Sequence, residues 1–182
     1  MLPLVAAALV AAAVGPLRSS AQALTQDEAL ALAFPGADFE RRTAYLDDAQ
    51  LDRATRLAGP AVPIESTIVT YYVASLGGRA VGVSYFDVHR VRTLPEVLMV
   101  VVGSDERIRR IESVAFHEPP EYRAPNGWLR QFDDAGLDED LSLKGGIANL
   151  TGASLTAGAV TRAARRTLAL HAVIDPLGEG RR

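Results

Sequence analysis

The chain has 182 residues, 48% of them apolar, and a formal net charge of −3. That length holds one domain, or one domain with an N-terminal appendage, and that apolar content supports a core and excludes a disordered chain. The charge, with no basic stripe interleaved with aromatics, excludes a general nucleic-acid binder; the absence of cysteine excludes disulfides, thiolate metal sites and lipid attachment through sulfur.

The chain opens with an apolar run, LPLVAAALVAAAVGPL, from Leu2 to Leu17. It is shorter than the roughly 20 residues that cross a bilayer. Gly15-Pro16 ends it, and Ala21-Gln22-Ala23 has the small-x-small pattern of a signal-peptidase site. Residues 1–23 therefore read as a signal peptide, which makes the protein periplasmic or otherwise extracytoplasmic. The alternative is an uncleaved leader that anchors the chain to the inner membrane. Cleavage removes Arg18 and leaves the mature chain one unit more negative.

Thr25 with Glu28 three residues on is a capping-box pattern and predicts a helix over 26–33, stopped by Pro35-Gly36. Leu51, Ala54, Leu57 and Ala58 share one helical face and predict a second helix over 48–58, ended by Gly59-Pro60. Residues 24–66 thus read as an N-terminal helical segment. The middle of the chain reads as strands. STIVTYYVASL is rich in β-branched and aromatic residues and closes at Gly77-Gly78, and AVGVSYFDVHRV follows as another. EVLMVVV and RIRRIESVAF flank the turn residues GSDE and predict an antiparallel hairpin of 96–102 with 107–116. Ile108, Ile111, Val114 and Phe116 depart from a period of two, which a bulge at Arg109-Arg110 reconciles.

HEPPEYRAPNG then reads as a loop, WLRQFDD as a helical turn and DDAGLDED as a solvated acidic loop. The last predicted element is a helix over 156–172. Val160, Ala163, Ala164, Thr167, Leu168 and His171 share its apolar face, and Arg162, Arg165 and Arg166 the opposite, solvated one. Residues 173–182 read as a tail. Strands in the middle with helices at both ends predict an α+β fold, an antiparallel sheet with flanking helices in a single domain.

The stretch ANLTGASLTAGAV, residues 148–160, is made of small residues and hydroxyls just where that helix begins. Gly152 and Ala153 let another molecule approach the backbone closely. The first N–H groups of a helix carry partial positive charge and suit a phosphate, and Ser154 sets a hydroxyl at that spot. The structural alternative is that Thr151, Ser154 and Thr156 are N-caps and that the small residues only allow close packing.

NLTGASLTAGAV resembles the flavinylation motif of the FMN-binding domain family. That family includes the periplasmic subunits of the Rnf and sodium-translocating NADH:quinone oxidoreductase complexes. The family pattern is Asp-x-x-Ser/Thr-Gly-Ala-Thr/Ser with a further hydroxyl two positions on, matched here by Thr151, Gly152, Ala153, Ser154 and Thr156. A second segment agrees. The family's His-Glu-Thr-Pro-Gly-like loop after a hairpin is matched by His117-Glu118-Pro119-Pro120-Glu121-Tyr122, and its aromatic helical segment by Trp128, Leu129 and Phe132. The resemblance spans about residues 68–170 and implies an FMN-binding domain over 67–172.

By that resemblance the cofactor is FMN, linked through its phosphate to Ser154 by a dedicated flavin transferase. His117, Glu118, Tyr122 and Trp128 join Thr151, Gly152, Ala153 and Thr156 as cofactor-binding residues. Tyr122 and Trp128 offer flat aromatic faces to the ring system. The role implied is an electron carrier with a membrane or periplasmic redox partner, not a stand-alone enzyme. The family's acidic position is Ala148 here, so FMN held without a covalent bond stays open beside attachment. So does a non-flavinylated accessory module of the same fold. No Gly-x-Ser-x-Gly elbow accompanies Ser154, which sets a serine hydrolase aside. His89 and His171 have no companions at metal-ligand spacing, so no metal site is assigned.

Overall fold

The strand-rich middle folds as a meander. In the computed structural model, which describes residues 23–178, strands β1 (Asp38–Tyr45), β2 (Ile68–Leu76), β3 (Arg79–Arg90), β4 (Pro95–Gly103) and β5 (Ile108–Phe116) lie side by side in chain order. Every neighbouring pair is antiparallel. The helices are α1 (Gln26–Ala33), α2 (Asp48–Ala58), the single turn α3 (Asn126–Leu129) and α4 (Ser154–Ile174). The molecule is a single α+β domain, an antiparallel sheet with flanking helices. The leader read over residues 1–23 lies, but for Ala23, outside the described residues, as do residues 179–182.

Both N-terminal helices begin with a full capping box, Thr25 with Glu28 and Asp47 with Gln50. α1 covers one face of the sheet, where Leu30 packs with Tyr72, Met99, Val101 and Val114. α4 covers the other, where Val160, Ala163 and Leu168 meet Tyr71, Val73, Val83, Leu98 and Val100, and α2 packs on α4. β4 is therefore buried on both faces. That is why its sequence is a continuous apolar run without alternation.

The hairpin and its bulge agree with the sequence pattern. Val101 pairs with Arg110 and Val102 with Ile108, so Arg109 is the extra residue. A second bulge leaves Val114 over, between Leu98↔Ser113 and Val97↔Ala115. β1 is an element the sequence does not suggest. DFERRTAY buries no residue fully, yet pairs with β2 along its whole length, from Asp38↔Ser75 to Tyr45↔Ile68. Residues 24–66 consequently share the sheet and both cores with the rest of the chain.

α4 keeps the expected buried face: Val160, Ala163, Ala164, Thr167, Leu168 and His171 are all buried. Small residues occupy the buried positions of both packed helices, Ala54 and Ala58 in α2, Ala157, Ala163, Ala164 and Ala169 in α4. That accounts for much of the small-residue run as close helix packing. The arginine face differs from expectation. Only Arg162 is exposed. Arg165 donates to the carbonyls of Ala58, Asp138 and Leu141, and Arg166 pairs with Asp87. Nor is the described part of 173–178 a free tail, since the helix reaches Ile174 and Leu177 is buried.

Candidate functional site

α4 begins at a tight turn. The Ala153 N–H donates to the Leu150 carbonyl at 3.0 Å, and Gly152 sits between them at φ +82°. A left-handed third position is what a type II turn demands, and glycine takes it without strain. A Cβ at Gly152 would meet nothing within 4 Å, so the corner is open. The N-cap residue is Ala153, and no side chain caps the helix. The hydroxyls of Thr151, Ser154 and Thr156 are therefore not caps.

The three hydroxyls have different surroundings. Thr151 and Ser154 are exposed. Thr156 is buried, and its Oγ1 donates to the Tyr122 carbonyl at 2.6 Å. Thr156 thus fastens the loop over 117–122 to the first turn of α4.

That loop is held from the other side as well. One oxygen of Glu118 accepts the N–H groups of Arg92, Thr93 and Leu94 at 3.1, 2.6 and 2.8 Å. The bonds from Leu94 and Thr93 outweigh burial and keep its carboxyl below the ordinary range. Glu118 thereby shapes the turn between β3 and β4 and is not turned outward. The Arg92 guanidinium lies 4.8 Å from the Tyr122 ring centroid and covers one face of that ring. His117 is exposed, and its N–H donates to the Pro95 carbonyl at 3.1 Å.

Trp128 works at the opposite flank. Its Nε1 donates to the Ala148 carbonyl at 2.8 Å, while its ring packs edge-on against Phe132 at 5.4 Å. Gln131 accepts the Ala148 N–H at 2.7 Å and donates to the Trp128 carbonyl at 3.0 Å. Both backbone groups at the position that is acidic in the resembled family are held in this way. Contacts thus link the two predicted segments at one corner: Thr156 to Tyr122, Arg92 to Tyr122 and Glu118, Trp128 to Ala148. Within that corner Ser154, Thr151 and His117 face solvent, while Thr156 and Glu118 are bound up in the scaffold.

A second feature has no counterpart in the sequence reading. The pairing of β2 with β3 stops at Tyr71↔Tyr85, although β2 begins at Ile68 and β3 runs on to Arg90. The sheet forks there. The Ser66 hydroxyl takes the place of the missing strand, accepting from the Ile68 N–H at 3.1 Å and donating to the Ile68 carbonyl at 2.9 Å. The fork opens into a groove of about 780 Å³, closed on its third side by Ala159, Arg162, Arg166, Thr167 and Leu170 of α4.

Arg166 bridges the two lips. It holds Asp87 of β3 through Nε and Nη2, both at 2.7 Å, and reaches the Pro63 carbonyl before β2 at 3.3 Å. Asp87 also meets Nδ1 of His89 at 2.9 Å. The other ring nitrogen of His89 is 3.3 Å from Oε2 of Glu96, with neither atom in a well-formed hydrogen bond. Ser113 donates to the other Glu96 oxygen at 3.1 Å. Burial opposes a charge on His89, but Asp87 and Glu96 outweigh it and raise its pKa above the usual value. Burial likewise opposes ionisation of Asp87, and His89 and Arg166 outweigh it and keep that pKa low.

Part of this cluster was readable. Asp87 and His89, two apart on a strand, share a face, and Glu96 pairs with His89 across the hairpin. Arg166 comes from 79 residues away and leaves no such signal. Among the described residues no group of histidine and carboxylate side chains could hold a metal ion, and no helix is long and apolar enough to cross a membrane. No protein-family model matches the chain, no curated protein matches it, and no solved structure matches it.

Proposed function

We propose that this chain is an exported FMN-binding electron carrier, with the flavin phosphate at the first turn of α4 and Ser154 as its acceptor. The observation that carries the reading is the open, uncapped start of a 21-residue helix with an exposed hydroxyl on its first residue. Uncapped N–H groups and the positive end of the helix dipole suit a phosphate dianion. Gly152 leaves the approach clear, and Thr151 adds a second hydroxyl beside it. FMN, when bound, supplies the redox chemistry; the protein holds it and presents it to a membrane or periplasmic redox partner. Thr156, Glu118 and Trp128 hold the corner together through their hydrogen bonds.

Attachment is a group transfer. The donor is an activated flavin dinucleotide: the Ser154 oxygen bonds to the FMN-side phosphorus, the pyrophosphate bond breaks, and the nucleoside monophosphate leaves, with the hydroxyl proton going to the departing side. The chain produced with a flavin transferase and its flavin dinucleotide donor is expected to be yellow and heavier by one FMN less one water. Ser154→Ala removes the mass increase, and Thr151→Ala leaves it. A colourless chain of unmodified mass that also binds no free FMN would end this reading.

The second reading, a non-flavinylated accessory module, is favoured by Ala148, which brings no carboxylate to the corner. Titration with free FMN in the absence of transferase separates the two: tight binding supports the carrier, and no binding supports the module.

A further inference from the structure

We propose that the fork between β2 and β3 is a binding site for an amphipathic organic anion, separate from the phosphate corner. This goes beyond the flavin reading, because none of residues 151–156 lines the groove.

The fork is a built feature. Continuing the register would pair Thr70 with Phe86, Val69 with Asp87 and Ile68 with Val88, and none of these pairs forms. A ladder left unfinished in mid-sheet forgoes backbone hydrogen bonds and exposes strand edges. Here Ser66 occupies the backbone groups of Ile68, and Arg166 spans from Asp87 to Pro63, so the gap is held open by specific contacts. The volume, about 780 Å³, falls within the range of small-molecule sites.

The lining defines the ligand class. The apolar lip is Ile68 and Val88, at 55% and 67% exposure, aliphatics that a closed sheet would cover. Charged residues in the wall are Arg90, Arg162, Arg166 and His89 against Glu65 and Asp87. Asp87 is already neutralised by Arg166 and His89, and Glu96 stands behind His89. With His89 protonated one positive charge is left over; with His89 neutral the arginines and carboxylates balance. Arg162 lines the fork and, with Gly158, the neighbouring groove; exposed and without a partner among the described residues, it is the cation free to turn toward an anion in the fork. A flat apolar body between the strand lips with a carboxylate, sulfonate or phosphate at Arg162 satisfies both parts of the site.

The probe is 8-anilinonaphthalene-1-sulfonate, titrated by fluorescence into the full chain without flavin. One saturable site per chain is expected. Arg162→Glu and Val88→Asp, both at exposed positions, should each weaken it by about tenfold or more. N-phenyl-1-naphthylamine, which lacks the sulfonate, should bind at least about tenfold more weakly. Ser154→Ala should bind as wild type. Non-saturable binding, wild-type affinity in Arg162→Glu, or equal binding of the uncharged probe overturns the proposal. Loss of probe binding in Ser154→Ala overturns the claim of a separate site while leaving the flavin reading intact, and loss of flavin binding with the probe retained does the reverse.

Discussion

Ser154 and Thr156 stand two residues apart in the same first turn, and they should behave as opposites. Thr156 is 1% exposed and donates to a carbonyl across the domain, whereas Ser154 faces solvent. Thr156→Val keeps the shape but leaves the Tyr122 carbonyl without this donor, at a cost of about 1–3 kcal/mol. Ser154→Ala should change stability by no more than about 0.5 kcal/mol, as exposed substitutions do. Urea unfolding of both variants checks this. A stable Thr156→Val would mean that the loop over 117–122 is held elsewhere. The difference was legible in the spacing. Thr156 precedes Val160 and Ala163 by four and seven residues and so lies on the buried helical face. The motif alone treats all its hydroxyls alike, because it records residue type and not direction. Glu118 shows the same limit from the other side. A loop carboxylate reads as available, and its three backbone donors lie 24 to 26 residues away in another turn.

The contact between α4 and the forked end of β3 depends on one chain of charges. Arg166 and Asp87 are 17% and 10% exposed, and breaking such a pair strands a buried carboxylate. Arg166→Met should cost about 3 kcal/mol, toward the low end for buried pairs because His89 still faces Asp87. The same cluster sets a pH dependence. His89 has a raised folded pKa, so its contribution is fully present below the ordinary imidazole value of about 6.5. It is lost as pH rises from there through the raised value. Asp87 has a lowered one, so its contribution is present above about 3.8 and is lost as pH falls through the lowered value. Urea midpoints should therefore decline on both sides of a plateau, and His89→Gln should flatten the alkaline decline and shrink the acid one, because His89 also helps to keep the Asp87 pKa low. An unchanged alkaline limb in that variant would remove His89 from the cluster's electrostatics. The elements that carry this chemistry were themselves well marked. Thr25 and Asp47 announce their helices locally, and the broken period of β5 announces its bulge. The fork was not marked, because it arises from a pairing that fails to form between residues that each look like ordinary strand.

At the scale of the molecule, the question is whether residues 67–178 can stand alone. The motif resemblance on which the proposed function draws begins at about residue 68, and the sequence presents 24–66 as a helical appendage. In the fold that segment supplies the edge strand, one of the two face coverings and the partner of α4. β1 escaped notice because its sequence is charged, FERR at its centre, and has no buried face to give it a period. Charges on an edge strand serve a purpose there: they discourage pairing with another molecule's sheet. Removing 24–66 uncovers Tyr72, Met99, Val101 and Val114, and turns β2, with its aromatic and β-branched residues, into a bare edge. It also deletes the buried Leu30, Leu46 and Val62. Each such side chain contributes about 1.5–3 kcal/mol, and together with the re-exposed sheet face they rival the 5–15 kcal/mol that holds a typical domain. A chain cut to 67–178 should therefore associate through β2 and lose cooperative unfolding, while 24–178 stays monomeric with one sharp transition. Sedimentation and circular dichroism of the two chains decide it. A monomeric, cooperatively folding 67–178 would show that the corner at the start of α4 and the fork need only β2 to α4, and that α1, β1 and α2 are an addition to an already complete domain.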